Sequence, residues 1–116
     1  MSASQEEIDE LKKYCSGVAT GVEGGVTFYA LQALRLPPGC APASCDAVLW
    51  PSPRDGYPSR LYFSERVTGP YTRNWNEDKA RILERNWFAF SWKVEQPPAT
   101  LAGLLIAHLN GFAKEK

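Results

Sequence analysis

The stretch WNEDKARILERNWFAFSW, residues 75–92, decides how the second half of the chain folds. It holds three of the four tryptophans and many charges, but neither cysteine nor histidine. Residues 68–76 have the composition of a loop, residues 77–85 fit one or two helical turns, and residues 86–94 alternate as a strand does. We therefore expect a loop and a helical turn that lead into a strand.

Alternation within that strand assigns its side chains to two faces. Phe88, Phe90 and Trp92 share one face, and Trp87 and Ala89 share the other. One face can therefore fill a core, while Trp87 is expected at a rim or against a partner.

The chain before this stretch predicts a helix followed by strands. Ser4 and Glu7 form a capping-box signal, and helical spacing then continues for about ten residues, ending before Gly17. A glycine-rich turn is expected at residues 18–26. Apolar and β-favouring residues, separated by proline and glycine turns, predict strands at residues 26–36, 46–50 and 60–67.

The chain after it predicts a closing helix. Pro97 and Pro98 suit a first helical turn, and an apolar stripe with helical spacing follows. The stripe consists of Leu101, Leu104, Leu105, His108, Leu109 and Phe112. The predicted fold is a single α+β domain over residues 1–116, with a four-stranded antiparallel meander flanked by an N-terminal and a C-terminal helix.

Composition limits the classes of partner. The 116 residues carry 13 basic and 13 acidic side chains, and 44% are hydrophobic, which is typical of a folded domain. Because the charges cancel, no basic field favours nucleic acid or an anionic membrane. No segment reaches the roughly 18 apolar residues of a membrane span, and the N-terminus has no secretory pattern. We therefore expect a cytoplasmic protein.

Cysteine and histidine are scarce and poorly spaced for a site. Cys15, Cys40 and Cys45 form no C-x-x-C pair, so reduced thiols are expected and neither a disulfide framework nor a zinc site is indicated. His108, the one histidine, falls on the apolar stripe, which favours a packing role. We expect no cofactor.

Three short motifs resemble one family. They are LPPG at residues 36–39, CDAVLWP at residues 45–51 and DGYPSRLYF at residues 55–63. Together with the tryptophan-rich strand and the closing helix, this series resembles the divergent bacterial ubiquitin-conjugating-enzyme-like (UBC-like) proteins. The resemblance implies the UBC-like fold and gives Gly56, Tyr57 and Pro58 the role of an architectural turn.

The same resemblance implies a function without catalysis. Active members of that family carry a thioester-forming cysteine in the later part of the domain, and this chain has no cysteine after Cys45. It implies a protein-binding or adaptor domain in a bacterial ubiquitin-like pathway, whose partner is a ubiquitin-like protein or its activating enzyme. Two alternatives stay open: an atypical conjugating factor that uses Cys40 or Cys45, and an aromatic-lined binder of nucleic acid or another ligand on an unrelated α+β fold.

Tryptophan and arginine next to one another mark the predicted interface. These residue types are enriched at interface hot spots, so we expect a protein-binding patch. Its residues are Arg73, Trp75, Arg81, Arg85 and Trp87. Base stacking and plain packing of the loop against the core are alternatives that the residue types leave open.

Overall fold

The structure, a computed structural model, describes residues 4–54, 56–69, 75, 77–90, 92–94, 98 and 100–113. Its elements, in chain order, are α1 (Gln5–Leu11), β1 (Gly17–Glu23), β2 (Val26–Arg35), β3 (Ser44–Trp50), β4 (Arg60–Phe63), β5 (Glu77–Ile82), β6 (Arg85–Ala89) and α2 (Leu101–Ala113).

Within the described residues, the strands form one antiparallel sheet in the order β1-β2-β3-β4-β6-β5. The six strands curve into a half-barrel, and the two helices are short. The predicted UBC-like architecture, a four-stranded meander flanked by helices, is therefore wrong. The error has two sources, because β1 was expected to be a turn and β5 was expected to be helical.

Strand β1 replaces most of the predicted glycine-rich turn. Its small residues alternate with β-branched ones, so the segment fits a strand as well as a turn. The actual turn is confined to Gly24 and Gly25, whose φ angles of 57° and 81° are those of a two-residue hairpin. Gly21 lets the strand pair closely, since a Cβ there would lie 2.4 Å from the Phe28 ring.

Strands β5 and β6 form a hairpin where one or two helical turns were predicted. Ala80 and Ile82 are buried, so this short segment follows the two-residue period of a strand. Leu83 and Glu84 make the connection with φ angles of 55° and 57°. Hairpin turns of this kind usually contain asparagine or glycine, so the Leu-Glu pair carries no recognisable turn signal.

Both predicted helices are present, and polar groups hold their first turns. The Ser4 side chain accepts a hydrogen bond from the Glu7 backbone N–H at 3.3 Å, as the capping box predicts. Helix α2 begins at Leu101, and the Thr100 hydroxyl accepts from the Gly103 N–H at 3.1 Å. The Glu7 carboxylate also accepts from the Leu101 N–H at 3.0 Å, which ties α1 to the start of α2.

The sheet is covered on both faces. Successive residues of a strand point to opposite sides, so Phe28 and Tyr29, or Tyr62 and Phe63, enter different clusters. The helix-face core, between the sheet and the helices, includes Leu11, Tyr29, Leu31, Phe63, Phe90, Leu105 and Phe112. The hairpin-face core, where the β5–β6 hairpin curls back over the sheet, consists of Phe28, Val48, Trp50, Tyr62, Ala80, Ile82, Trp87 and Ala89.

Neither helix of the described chain is long and apolar enough to cross a membrane.

Candidate functional site

A groove with a volume of about 400 Å³ opens at the mouth of the half-barrel. It lies between β1 and β2 on one side and the tip of the β5–β6 hairpin on the other, and small residues on facing positions of β1 and β2 leave it room. The groove is lined by Gly17, Val18, Ala19, Ala30, Leu31, Gln32, Asp46, Ala47, Leu83, Arg85 and Trp87.

Arg85 is held at the groove by two contacts. Its Nη1 donates to Asp46 Oδ2 at 3.1 Å, and its guanidinium carbon lies 4.8 Å from the centre of the Trp87 ring. The carboxylate and the ring face restrain this long side chain, which is still 49% exposed. Arg85 therefore presents its remaining N–H donors to the groove from a defined position.

Asp46 connects Arg85 to an irregularity in β2. Its Oδ1 accepts the Ala33 backbone N–H at 3.0 Å, at the β-bulge where Ala33 adopts a φ of 50°. That hydrogen bond, followed by the interaction with Arg85, lowers the pKa of Asp46 below its ordinary value. Asp46 is therefore ionised at neutral pH and both supports the bulge and positions Arg85.

Leu83 stands at the hairpin tip in an unfavourable setting. Its side chain is 54% exposed, although it is large and apolar. Leu83 and its neighbour Glu84 both occupy the left-handed region, which costs a non-glycine residue about 1–2 kcal/mol. Strained backbone of this kind is concentrated at functional sites, so Leu83 is a candidate contact residue.

Trp87 forms a wall of the groove and not a free rim. The side chain is 2% exposed, and its Nε1 donates to the Ile82 carbonyl at 2.8 Å. The expectation that Trp87 faces a rim or a partner is wrong as to exposure, because the hairpin folds this ring into the hairpin-face core. Its remaining role at the groove is to support the Arg85 guanidinium.

Two other predicted interface residues lie away from the groove. The Arg81 guanidinium donates to Asn86 Oδ1 at 3.2 Å across the hairpin and does not line the groove. Trp75 is half-buried in the helix-face core, with its ring 5.1 Å from Phe90 and 5.8 Å from Phe63 between centres. The structure therefore brings Arg85 and Trp87 together but places Trp75 on the other face of the sheet.

The fifth predicted residue, Arg73, lies outside the described residues. Sequence reasoning missed Asp46, Leu83 and the small residues of β1 that open the groove. A hairpin over residues 77–89 places Leu83 at its tip, so a correct prediction of this hairpin would have identified Leu83. No sequence signal links Asp46 to Arg85, since they are far apart in the chain.

A serine and a histidine form the pair that most resembles catalytic machinery. Ser59 Oγ lies 2.9 Å from His108 Nε2, but His108 is only 4% exposed and Ser59 is buried as well. Burial, followed by the charge of Arg60, lowers the pKa of His108 to about 4, so the ring is neutral at physiological pH. The pair is closed to substrate and fastens α2 to the start of β4.

The thiols are also in unreactive settings. Burial raises the pKa of Cys40, and it raises the pKa of Cys45 despite hydrogen bonds with Ser64. A raised pKa lowers the fraction of thiolate, which is the nucleophilic form. Within the described part of the chain, no three histidine, cysteine or acidic residues come together as metal ligands would.

Comparison of the chain with protein families, curated proteins and solved structures gave no match. The resemblance to UBC-like proteins therefore stays a prediction that rests on the three short motifs.

Proposed function

We propose that this protein is a non-catalytic protein-binding domain, and that the groove at the mouth of the half-barrel holds an extended segment of its partner. The observation that carries this proposal is the exposed Leu83 side chain on a strained turn beside the fixed Arg85. The left-handed backbone and the exposure of a large apolar side chain each destabilise the free protein, and a bound partner would cover that side chain.

The lining of the groove suits a peptide. Its volume falls in the usual range for binding pockets, and its small residues allow a partner backbone to approach closely. Gln32, Asp46 and Arg85 offer donors and acceptors for backbone groups, while Leu83 offers an apolar contact. The preferred ligand is an uncharged or weakly charged extended segment with one apolar side chain, because the Arg85 charge is already balanced by Asp46.

The settings of the cysteines and of Ser59 with His108 support binding over catalysis. An atypical conjugating factor would need an accessible thiolate, and burial opposes ionisation at Cys40 and Cys45. A hydrolase would need access to the buried Ser59 hydroxyl.

The tryptophan positions favour protein over nucleic acid. Stacking of bases needs exposed ring faces, whereas Trp87 is buried and Trp75 packs among phenylalanines. The net charge of zero gives the whole chain no overall attraction to phosphate, which is the main source of affinity in nucleic-acid binding.

A peptide selection tests the proposal. A random peptide library displayed on phage is selected on the immobilised protein, and an enriched peptide is synthesised and titrated. We expect Arg85→Ala and Leu83→Ser to weaken its affinity by about tenfold or more each, the loss of a hot-spot contact. The matched control is Arg81→Ala, which removes the other exposed arginine of the hairpin and should leave the affinity within about twofold.

Two outcomes would contradict the proposal. One is that no peptide is enriched, and the other is that an enriched peptide binds the Arg85 and Leu83 variants as well as it binds the wild type. The motif resemblance names a ubiquitin-like protein or its activating enzyme as the first whole proteins to titrate in the same assay.

A further inference from the structure

The two edges of the sheet are protected to very different degrees. The outer strand β5 has the sequence EDKARI, in which charged residues predominate, and such charges discourage pairing with another strand. The other outer strand, β1, has the sequence GVATGVE, with one charge at its end and no proline. Among the described residues β1 pairs only with β2, so its second edge is open.

The hairpin geometry determines which backbone groups β1 presents. The two-residue turn sets Glu23 opposite Val26, a pair whose backbone groups bond to each other. Since bonded and outward-facing residues alternate along a strand, the N–H and C=O groups of Val18, Thr20 and Val22 point away from the sheet. These donors and acceptors match those of any antiparallel strand.

The side chains of the same three residues lie on the helix face of the sheet. Val18 and Thr20 stand opposite Leu31 and Tyr29, which belong to the helix-face core. Val22, at the end of this row, is 66% exposed and is the most exposed large hydrophobic residue of the described chain. The row is β-branched throughout, which is the composition that packs best between strands.

We propose that β1 pairs with β1 of a second copy of this chain, antiparallel and with the two-fold axis at Thr20. In this register Thr20 faces its own counterpart, and Val22 covers Val18 of the second copy on both sides of the axis. Thr–Thr and β-branched cross-strand pairs are each favourable by a few tenths of a kcal/mol up to about 1 kcal/mol. The self-complementary sequence makes a second copy the occupant.

The register also keeps like charges apart. Glu23 is the one charged residue of β1, and it has no ion pair among the described residues. It falls opposite Gly17 of the second copy, so the two carboxylates lie at opposite ends of the paired strands.

A single pair of short strands buries little surface, so the dimer is weak and depends on concentration. Sedimentation over a wide concentration range measures it. We expect the wild type to associate and Thr20→Lys, which sets two ammonium groups against each other at the axis, to stay monomeric. The control is Ile106→Lys, the same charge on an exposed apolar residue of α2, which should associate like the wild type. A wild type that stays monomeric throughout, or a Thr20→Lys variant that associates equally, would overturn the proposal.

Disulfide trapping tests the register separately and does not require the Thr20→Lys variant. All variants also carry Cys40→Ser, because Cys40 is the native thiol that is not fully buried. Thr20→Cys should cross-link to its own counterpart on oxidation, since residues paired across antiparallel strands have the Cα separation of a disulfide. Val22→Cys alone should cross-link poorly, and Val18→Cys with Val22→Cys should cross-link well.

Cross-linking of Thr20→Cys no faster than that of Ile106→Cys would refute this register. Val18 belongs both to the lining of the groove and to the proposed seam, so peptide binding is measured separately on the Thr20→Lys monomer, whose substituted residue does not line the groove.

Discussion

At the scale of single residues, His108 is the group whose ionisation the fold changes most. Its ring is buried in α2 and bonded to Ser59, and burial lowers its pKa from 6.5 to about 4. The unfolded chain therefore takes up a proton at this residue before the folded chain does. The stability that the neutral His108 ring contributes is fully present above pH 6.5, and it is lost as the pH falls from about 6.5 to about 4.

Replacement of His108 should remove that pH dependence. The shift corresponds to a loss of up to about 3 kcal/mol in the free energy of unfolding across this range. His108→Gln keeps a polar group near Ser59 but cannot titrate, so its unfolding free energy should fall less between pH 7 and pH 4.5 than that of the wild type. Denaturant unfolding at several pH values measures this difference. Ser59→Ala, which keeps the histidine, should retain the wild-type slope, and an equal slope in His108→Gln would count against the assignment.

Trp75 was predicted to contact a partner, and its surroundings give it a packing role. Its ring meets Phe63, Phe90 and Phe112 in the helix-face core. Trp75→Ala should lower the free energy of unfolding by about 2–3 kcal/mol, below the value for a fully buried tryptophan because Trp75 is half-buried. Arg81→Ala, also from the predicted patch, should change it by less than about 0.5 kcal/mol. Equal and small effects in thermal or chemical unfolding would instead favour a surface role for Trp75.

At the scale of elements, the turn of the β5–β6 hairpin is a place where substitution can raise the stability of the protein. Leu83 and Glu84 both sit in the left-handed region, which Asn-Gly occupies without strain. The double substitution Leu83→Asn with Glu84→Gly should raise the free energy of unfolding by about 1–2 kcal/mol and weaken peptide binding. Gly24→Asn, in the already relaxed turn of the β1–β2 hairpin, is the control and should have little effect. A double variant no more stable than the wild type would show that this turn stores no strain.

The two glycines of β1 should differ in how well they tolerate a side chain. A Cβ at Gly21 would lie 2.4 Å from the Phe28 ring, whereas a Cβ at Gly17 would meet the flexible end of Gln32 at 3.0 Å. Gly21→Ala should therefore lower the free energy of unfolding by about 1–3 kcal/mol, because the ring sits in a packed core and cannot move freely. Gly17→Ala should be nearly neutral. Similar unfolding midpoints for the two variants would contradict the close packing of Phe28 on Gly21.

The elements that sequence reasoning found are those with strong local signals. Ser4 and Glu7 predicted α1, and the apolar stripe that ends at Phe112 predicted α2. Strands β1 and β5 were missed for opposite reasons. β1 is rich in small residues that also suit a turn, and β5 is a short charged segment whose buried Ala80 and Ile82 are too few to show a period.

At the scale of the whole molecule, the groove exists because the sheet curls until the β5–β6 hairpin tip approaches β2. Sequence reasoning identified Arg85 and Trp87, since aromatic and arginine residues are visible in the chain. It could not find Asp46, because the salt bridge between Asp46 and Arg85 depends on the curvature of the sheet and not on any local pattern. The same curvature buries Trp87 and leaves Trp75 on the opposite face.

The indole N–H groups of Trp75 and Trp87 lie on opposite faces of the sheet, so one measurement can show at which face a peptide binds. The peptide from the phage selection is titrated into ¹⁵N-labelled protein, and the indole N–H signals are followed by NMR. If the groove is the binding site, the Trp87 indole signal and the Leu83 and Gln32 amide signals will move with peptide concentration, and the Trp75 indole signal will stay in place. Movement of the Trp75 signal with none at Trp87 would contradict this account.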